Sequence, residues 1–485
     1  MKISFVNGRI YKHFNPPETC DAITVENGRV IYAGESARAR LLGHRIIDLH
    51  GKTVIPGIID AHMHLDELGT YLNILDLRGT RSIREMRERL RDFAATHEGP
   101  IMGHGWDQEM FEEKRWPVKE DIDDIVNDRP VLLSRVCLHA ALVNSFFINA
   151  AGYRSTSGIV KEEEFEAFRT KFNSLVPSEL KRKFISDALK ELARNGITSV
   201  GFVSCSKESF NILKDMDKNG EIAIRVNVYM NAEDLESALK QSNTDHLRVK
   251  GVKLFVDGSL GARTALLSRD YDDEATRGEQ VFSWDFLRGK IDLAVRNGLQ
   301  VAMHAIGDGA MDIAISLLRD HPRQRIEHCS VVRDDQLVKL KGFNAVVQPH
   351  FLITDFWIKE RLGEERARWA YRFRDLSKVA NVAFSTDSPV EPIDPFQTIY
   401  AAVTRGFNEG IFLSKFEDQK FSVTEALRYY TEGAAIALGE KYCGRIDEGY
   451  FADFAILPRD PLSIDPKELL SVKPDSVYVS GVRIF

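Results

Sequence analysis

Ile55-Pro56-Gly57-Ile58-Ile59-Asp60-Ala61-His62-Met63-His64 carries an apolar run straight into two imidazoles separated by one residue. In an extended strand residues i and i+2 point to the same side, so His62 and His64 can reach one ion while Met63 faces away. A His-x-His pair also arises by chance on surfaces, so the rest of the chain must decide its meaning. Lys253, His304, His328 and Asp387 each lie in, or directly after, a separate short apolar run.

Those runs are strand-like and repeat along the chain: Val54–Asp60, Ile197–Val203, Ile224–Met230, Lys250–Val256, Leu299–His304, Gln324–His328, Ala345–Pro349 and Val382–Thr386. Between them lie amphipathic helical patterns such as Glu179–Asn195, Trp284–Asn297 and Met311–Asp320. Eight strands alternating with helices predict an α/β fold, a (β/α)8 TIM barrel whose active site sits at the C-terminal strand ends. The metal-capable residues gather at that rim.

Both chain ends read differently. Asn7-Gly8 and Asn27-Gly28 are hairpin signals flanked by β-rich segments, and Ala452–Leu457 and Ser476–Ile484, with a Ser480-Gly481 turn, look antiparallel. Neither end has enough strands to bury a face alone. A composite β-sandwich-like domain from residues 1–54 and 433–485 is therefore expected, around a barrel spanning 55–432. Residues from about 68 to 190 exceed one crossover helix and contain the further β-like runs Pro100–Trp106 and Pro130–Leu138, which predicts an insertion after the first barrel strand. It contains Trp106, Phe111, Trp116 and His139, and insertions at the top of a barrel shape the pocket.

At 485 residues and 44% hydrophobic, the chain can fill such cores. A net charge of -7 offers no general basic surface, so a nucleic-acid partner is not expected. The five scattered cysteines read as buried thiols of a reducing compartment. With no apolar leader and no run long enough to span a bilayer, a cytoplasmic location without a membrane partner is expected. A homodimer is entertained as the oligomer.

Lys253 stands among apolar neighbours in Lys250-Gly251-Val252-Lys253-Leu254-Phe255-Val256-Asp257, where an ammonium is costly unless paired or neutral. It either pairs with Asp257 or another carboxylate, or is carboxylated by carbon dioxide to bridge two metals.

These residues resemble those of the amidohydrolase superfamily, in the family 3 branch that includes N-substituted formamide deformylases. The match runs through Asp60-Ala61-His62-Met63-His64 and through Lys253-Leu254-Phe255-Val256-Asp257-Gly258-Ser259-Leu260-Gly261-Ala262-Arg263-Thr264-Ala265, the branch-specific stretch. His304-Ala305-Ile306-Gly307-Asp308, Arg325-Ile326-Glu327-His328 and Ser385-Thr386-Asp387-Ser388-Pro389 complete it. The resemblance implies that His62, His64 and Asp387 hold one divalent metal and that His304 and His328 hold a second, with carboxylated Lys253 bridging them. Zinc is the default, manganese, iron and nickel suit the same donors, and a mononuclear site with plain Lys253 is the alternative.

The reaction it implies is hydrolysis of an amide-like, non-peptide carbon–nitrogen bond in a small molecule by a metal-bound hydroxide, with Asp387 moving the proton to the leaving nitrogen. His139, His350 and Trp106 are candidate substrate contacts. Glu327, Asp308, Asp257 and Arg263 are expected to orient ligands or structure, and Trp357 and Trp369 to fill the core. A deaminase of a nucleobase-like ring could use the same barrel, but related deaminases place a Glu three residues after the fifth-strand histidine, where this chain has Gly307. A scaffold that has lost its metal would be expected to lose ligands, and all six are present.

Overall fold

In a computed structural model, which describes residues 2–137, 139–153, 157–239, 241 and 243–485, the expected short apolar runs form one parallel sheet. Its strands are β1 (Ile58–Met63), β2 (Ile197–Cys205), β3 (Arg225–Met230), β4 (Leu247–Phe255), β5 (Gln300–Ala305), β6 (Arg325–His328), β7 (Asn344–Val347) and β8 (Asn381–Phe384). Each pairs in parallel with the next in chain order. Most strand positions are buried, as a sheet covered on both faces requires.

The ends of this sheet meet without a ladder. Asp60 at the top of β1 instead accepts the Thr386 N–H at 3.1 Å and bonds the Thr386 hydroxyl. Just beyond, Asp387 N–H donates to the His62 carbonyl at 2.9 Å and His64 N–H to the Ser388 carbonyl at 2.8 Å. The result is a nearly closed (β/α)8 barrel.

A representative covering helix shows why the sequence folds this way. Trp284–Arg296 begins where the Ser283 hydroxyl accepts the Phe286 N–H, and it buries Leu287, Ile291 and Ala294, one face at helical spacing. It stops before Gly298, whose φ of 70° suits glycine.

The first strand differs from the sequence expectation. Thr53–Pro56 is not barrel but lies in a six-stranded mixed sheet, antiparallel to Phe454–Leu457. The apolar run is divided at Gly57, where a Cβ would lie 2.1 Å from Thr198 Oγ1. The six-stranded sheet contains both chain ends, and a four-stranded sheet of Ile3–Val6, Ala22–Glu26, Arg29–Gly34 and Arg45–Asp48 packs with it. Phe5 from the smaller sheet meets Phe454 and Tyr478 of the larger edge-on, at 5.0 and 5.1 Å between ring centres.

Asn27-Gly28 makes the expected hairpin, with φ of 51° and 77°. Asn7-Gly8 does not, because Ile3–Val6 and Arg9–Phe14 enter different sheets. Gly8 serves close packing there, since a Cβ would lie 2.4 Å from Leu49 Cδ1.

A buried ion pair fastens the terminal sheet to the barrel. Arg225 at the start of β3 grips Asp453 through two bonds of 2.7 and 2.9 Å, and its guanidinium lies 3.7 Å from the centre of the Phe451 ring.

By internal contacts the chain forms two compact units, Met1–Leu65 with Leu189–Phe485, and Asp66–Ala188. The second unit has its own five-stranded sheet, in the order Ile159–Lys161, Ala140–Val143, Val131–Arg135, Ile101–Trp106, Leu75–Asp76. Trp106, Phe111 and Leu133 are in its core. Leu138, at the end of the run predicted there, lies outside the described residues. Among the described residues no helix is long and apolar enough to cross a membrane.

Candidate metal centre

Strand alternation delivers the donors. In β6, Arg325 and Glu327 flank the apolar Ile326 and His328 ends the strand, and Arg325 and Glu327 share the barrel interior in a bidentate pair of 2.8 and 2.9 Å. Arg325 also donates to the Ala61 carbonyl at 2.8 Å and lies over the Tyr229 ring. Burial pushes the Glu327 carboxyl up, but the adjacent Arg325 and His62 more than offset this and hold it well below the usual range. It is therefore an anion at the barrel centre.

That anion fixes His62. Its Nδ1 lies 2.6 Å from Glu327 Oε2, so this nitrogen carries the proton and Nε2 is left as a lone-pair donor. His328 is oriented in the same way, with Nδ1 2.9 Å from Gln348 Oε1, while the Gln348 amide donates to Ser385. Its backbone φ of 72°, like the 59° of Asp387, is left-handed and costs about 1–3 kcal/mol. Both residues carry this conformation at the rim where the donors meet.

His62, His328 and Asp387 each offer a ligand atom within 4.8 Å of the others, and all three are buried. Asp387 Oδ1 lies 3.2 Å from both His62 Nε2 and His64 Nε2. It is buried and accepts no hydrogen bond among the described residues. An orphaned carboxylate oxygen between imidazole nitrogens is what a divalent cation would satisfy, so the residues fit a metal. Burial opposes ionisation of Asp387, but His62, His64 and His328 around it hold its pKa well below the ordinary value.

The expected binuclear centre bridged by a carboxylated lysine is corrected here. Among the described residues the donors that converge are a single group of three, His62, His328 and Asp387. His304 lines the same cavity but turns Nε2 to the Gly258 carbonyl at 3.0 Å, and burial lowers its pKa to about 3. Lys253 presents one amine, 3.4 Å from His62 Nε2, and burial lowers its pKa to about 8. Nor does Lys253 pair with Asp257, which instead accepts the N–H groups of Leu266, Ile306 and Gly307 at 2.8 to 3.1 Å.

The centre opens into a cavity of about 350 Å³ that also takes in His64, Lys253 and, against expectation, Trp357. Trp357's place was not legible because it lies in an irregular segment, where side-chain direction follows no period. Of the other candidate substrate contacts, His350 pairs through Nδ1 with the buried Glu391 and does not line the cavity. Trp106 is fully buried in the second unit and donates to the Leu133 carbonyl, and His139 is exposed on that unit, 3.1 Å from Glu162. Gly307 admits no side chain, because a Cβ would lie 2.0 Å from the Leu266 carbonyl oxygen.

Comparison with known proteins agrees with this architecture. A model of the amidohydrolase family matches residues 45–485. The chain is similar to YtcJ of Bacillus subtilis (strain 168), a protein named as an amidohydrolase, at 32% identity over 100% of this chain and 99% of that one. It is similar to the N-substituted formamide deformylase of Arthrobacter pascens at 23% identity over 95% and 94%. The crystal structure of an uncharacterized metal-dependent hydrolase from Pyrococcus furiosus superposes with a TM-score of 0.89 at 40% identity, covering 96% of this chain and 100% of that one. A parallel barrel with His62, His328 and Asp387 converging at its rim, matched by the family's model across nearly its whole length, makes this chain a member of the amidohydrolase family, in its family 3 branch.

Proposed function

We propose that the protein hydrolyses an amide-like, non-peptide carbon–nitrogen bond of a small molecule, using a divalent ion held by His62, His328 and Asp387. The observation that carries this reading is the convergence of those three buried donors at the strand ends of an amidohydrolase-family barrel. The named activity of the Arthrobacter relative supports small amides as the substrate class.

An ion in this position supplies Lewis acidity toward a carbonyl oxygen and makes water more acidic. The chain supplies the rest. Glu327 and Gln348 hold His62 and His328 with Nδ1 protonated, so that both imidazoles face the site as neutral donors. Asp387, whose pKa lies well below the ordinary value despite its burial, is the base that accepts a proton on a carboxylate oxygen and returns it to the leaving nitrogen. His64 and Lys253 border the same space, and the amine is the one cationic side chain other than histidine there among the described residues. The steric exclusion at Gly307 favours hydrolysis of amides over deamination, since no proton-shuttling carboxylate can stand there.

The same reading places the protein in the cytoplasm with no nucleic-acid or membrane partner, supported by its net charge of -7 and scattered cysteines, and takes a homodimer as the oligomer to test. It divides the chain into a terminal β domain, 1–54 with 433–485, and a catalytic barrel, 55–432, carrying an insertion at about 68–190. Metal analysis of purified protein, together with release of amine or ammonia from a panel of N-formyl, N-acyl and cyclic amides, tests the activity. Wild type is expected to bind metal and hydrolyse at least one amide class, and His62→Ala to lose most of both. Full metal content and turnover in His62→Ala would overturn the assignment.

A further inference from the structure

Apart from the donors at its floor, the cavity is walled largely by apolar groups, among them Phe255, Leu260, Ile306, Phe351, Trp357 and Val390. One carboxylate interrupts this wall. Asp355 lies in the segment after β7, beyond the short helix Phe351–Thr354, and lines the cavity without belonging to the donor cluster. Its Oδ2 accepts a short hydrogen bond from the Tyr371 hydroxyl, while Oδ1 accepts none among the described residues.

Tyr371 is itself held rigidly. Its N–H donates to the Ser330 carbonyl at 2.7 Å, its carbonyl accepts from the buried Arg405 at 2.9 Å, and its φ is 49°. A tyrosine fixed at both backbone groups presents its hydroxyl at one place and so fixes the carboxylate it binds. Burial raises the Asp355 pKa to about 6, which leaves it mostly ionised at neutral pH. The nearby Arg361 is engaged elsewhere, pairing with Asp273 and lying 4.9 Å from the centre of the Trp357 ring.

We infer that Asp355, positioned by Tyr371, is a specificity-determining residue that binds a hydrogen-bond donor, best an ammonium, on the non-reacting part of an otherwise apolar amide substrate. An ionised carboxylate offers only acceptors, so it attracts N–H and O–H groups and repels anions. Acidic substrates such as N-acyl amino acids would set their carboxylate against the Asp355 carboxylate. The inference rests on the hydrolase reading for the word substrate, and its test separates the two.

Three benzamides of similar size serve as probes: 3-(aminomethyl)benzamide, 3-ethylbenzamide and 3-carboxybenzamide. Their binding to the metal-loaded enzyme is measured by isothermal titration calorimetry and their hydrolysis by release of ammonia. The aminomethyl compound is expected to bind wild type roughly tenfold more tightly than the ethyl compound, the scale of one hydrogen bond to a charged group, and the carboxy compound most weakly. In Asp355→Asn that advantage is expected to fall to within about twofold. Should Asp355→Asn fail to fold, Tyr371→Phe is expected to shrink the advantage by about threefold or more.

Equal or tighter binding of the ethyl or carboxy compound by wild type, no binding of the aminomethyl compound at millimolar concentration, or an undiminished advantage in the variants would overturn the inference. Asp355-dependent binding with no ammonia released from any probe would keep the recognition site and count against benzamide hydrolysis. Ammonia release without discrimination would do the reverse.

Discussion

His62 Nδ1 and Glu327 Oε2 meet at 2.6 Å with neither side chain exposed to solvent. This contact sets the tautomer of His62 and therefore which nitrogen faces the ion. Glu327→Gln keeps the shape but weakens the hold on the Nδ1 proton, and loss of such a supporting group typically costs about 10–100-fold in metal affinity. Titration of metal-free protein with the divalent ion is expected to show that loss. Unchanged affinity would mean that Glu327 serves Arg325 alone.

Asp387→Asn separates holding the ion from moving the proton. An amide oxygen can still ligate weakly, but the side chain can no longer take a proton at neutral pH. Turnover is expected to fall by at least about a hundredfold, the usual scale for a positioned acid–base group, while part of the metal remains bound. Parallel metal analysis and steady-state kinetics check both halves, and parent-rate hydrolysis by the variant would move the base elsewhere.

Lys253 gives a pH signature. Its amine titrates near 8 in the fold against 10.5 when unperturbed, so between those values the unfolded chain binds more protons than the native one. The cost of burying the ammonium is then fully present below about pH 8, and stability rises as pH climbs from about 8 toward 10.5, by about 3 kcal/mol from this group. In metal-free protein, Lys253→Met is expected to be more stable than wild type at pH 7, with the gap narrowing at pH 10. Urea unfolding at both pH values decides it, and a gap independent of pH would assign Lys253 no such shift.

Asp453→Ala leaves the Arg225 guanidinium buried without its carboxylate between the barrel and the terminal sheet. Breaking a buried pair from one side costs about 3–5 kcal/mol. A lower thermal midpoint is expected, and a cost below about 1 kcal/mol would show that the Phe451 ring and other contacts hold the guanidinium without it.

The features legible in the sequence were those governed by period. Alternation along β1 brings both His62 and His64 to Asp387, and the short β-branched runs become parallel strands because both faces are covered by other elements. Features set by long-range partners were not legible. Thr53–Pro56 reads like the start of a barrel strand until Phe454–Leu457 pairs with it. Asn7-Gly8 reads like a hairpin until its flanking strands leave for separate sheets. The inserted unit showed two of its strands, because the others are only two to four residues long and carry no measurable period. At the metal centre the donor types were readable, but nothing local told that His304 would turn to the Gly258 carbonyl.

The Asp60–Thr386 seam has a consequence for how the protein is made. The side chains that close the barrel, and the His62–Asp387 contact beside them, are separated by more than three hundred residues. A ribosome must therefore release the chain past Asp387 before the last donor can meet the first. Until then the emerging chain offers an ion imidazoles without the carboxylate, so the full donor set of His62, His328 and Asp387 exists only once the last barrel strand has been made.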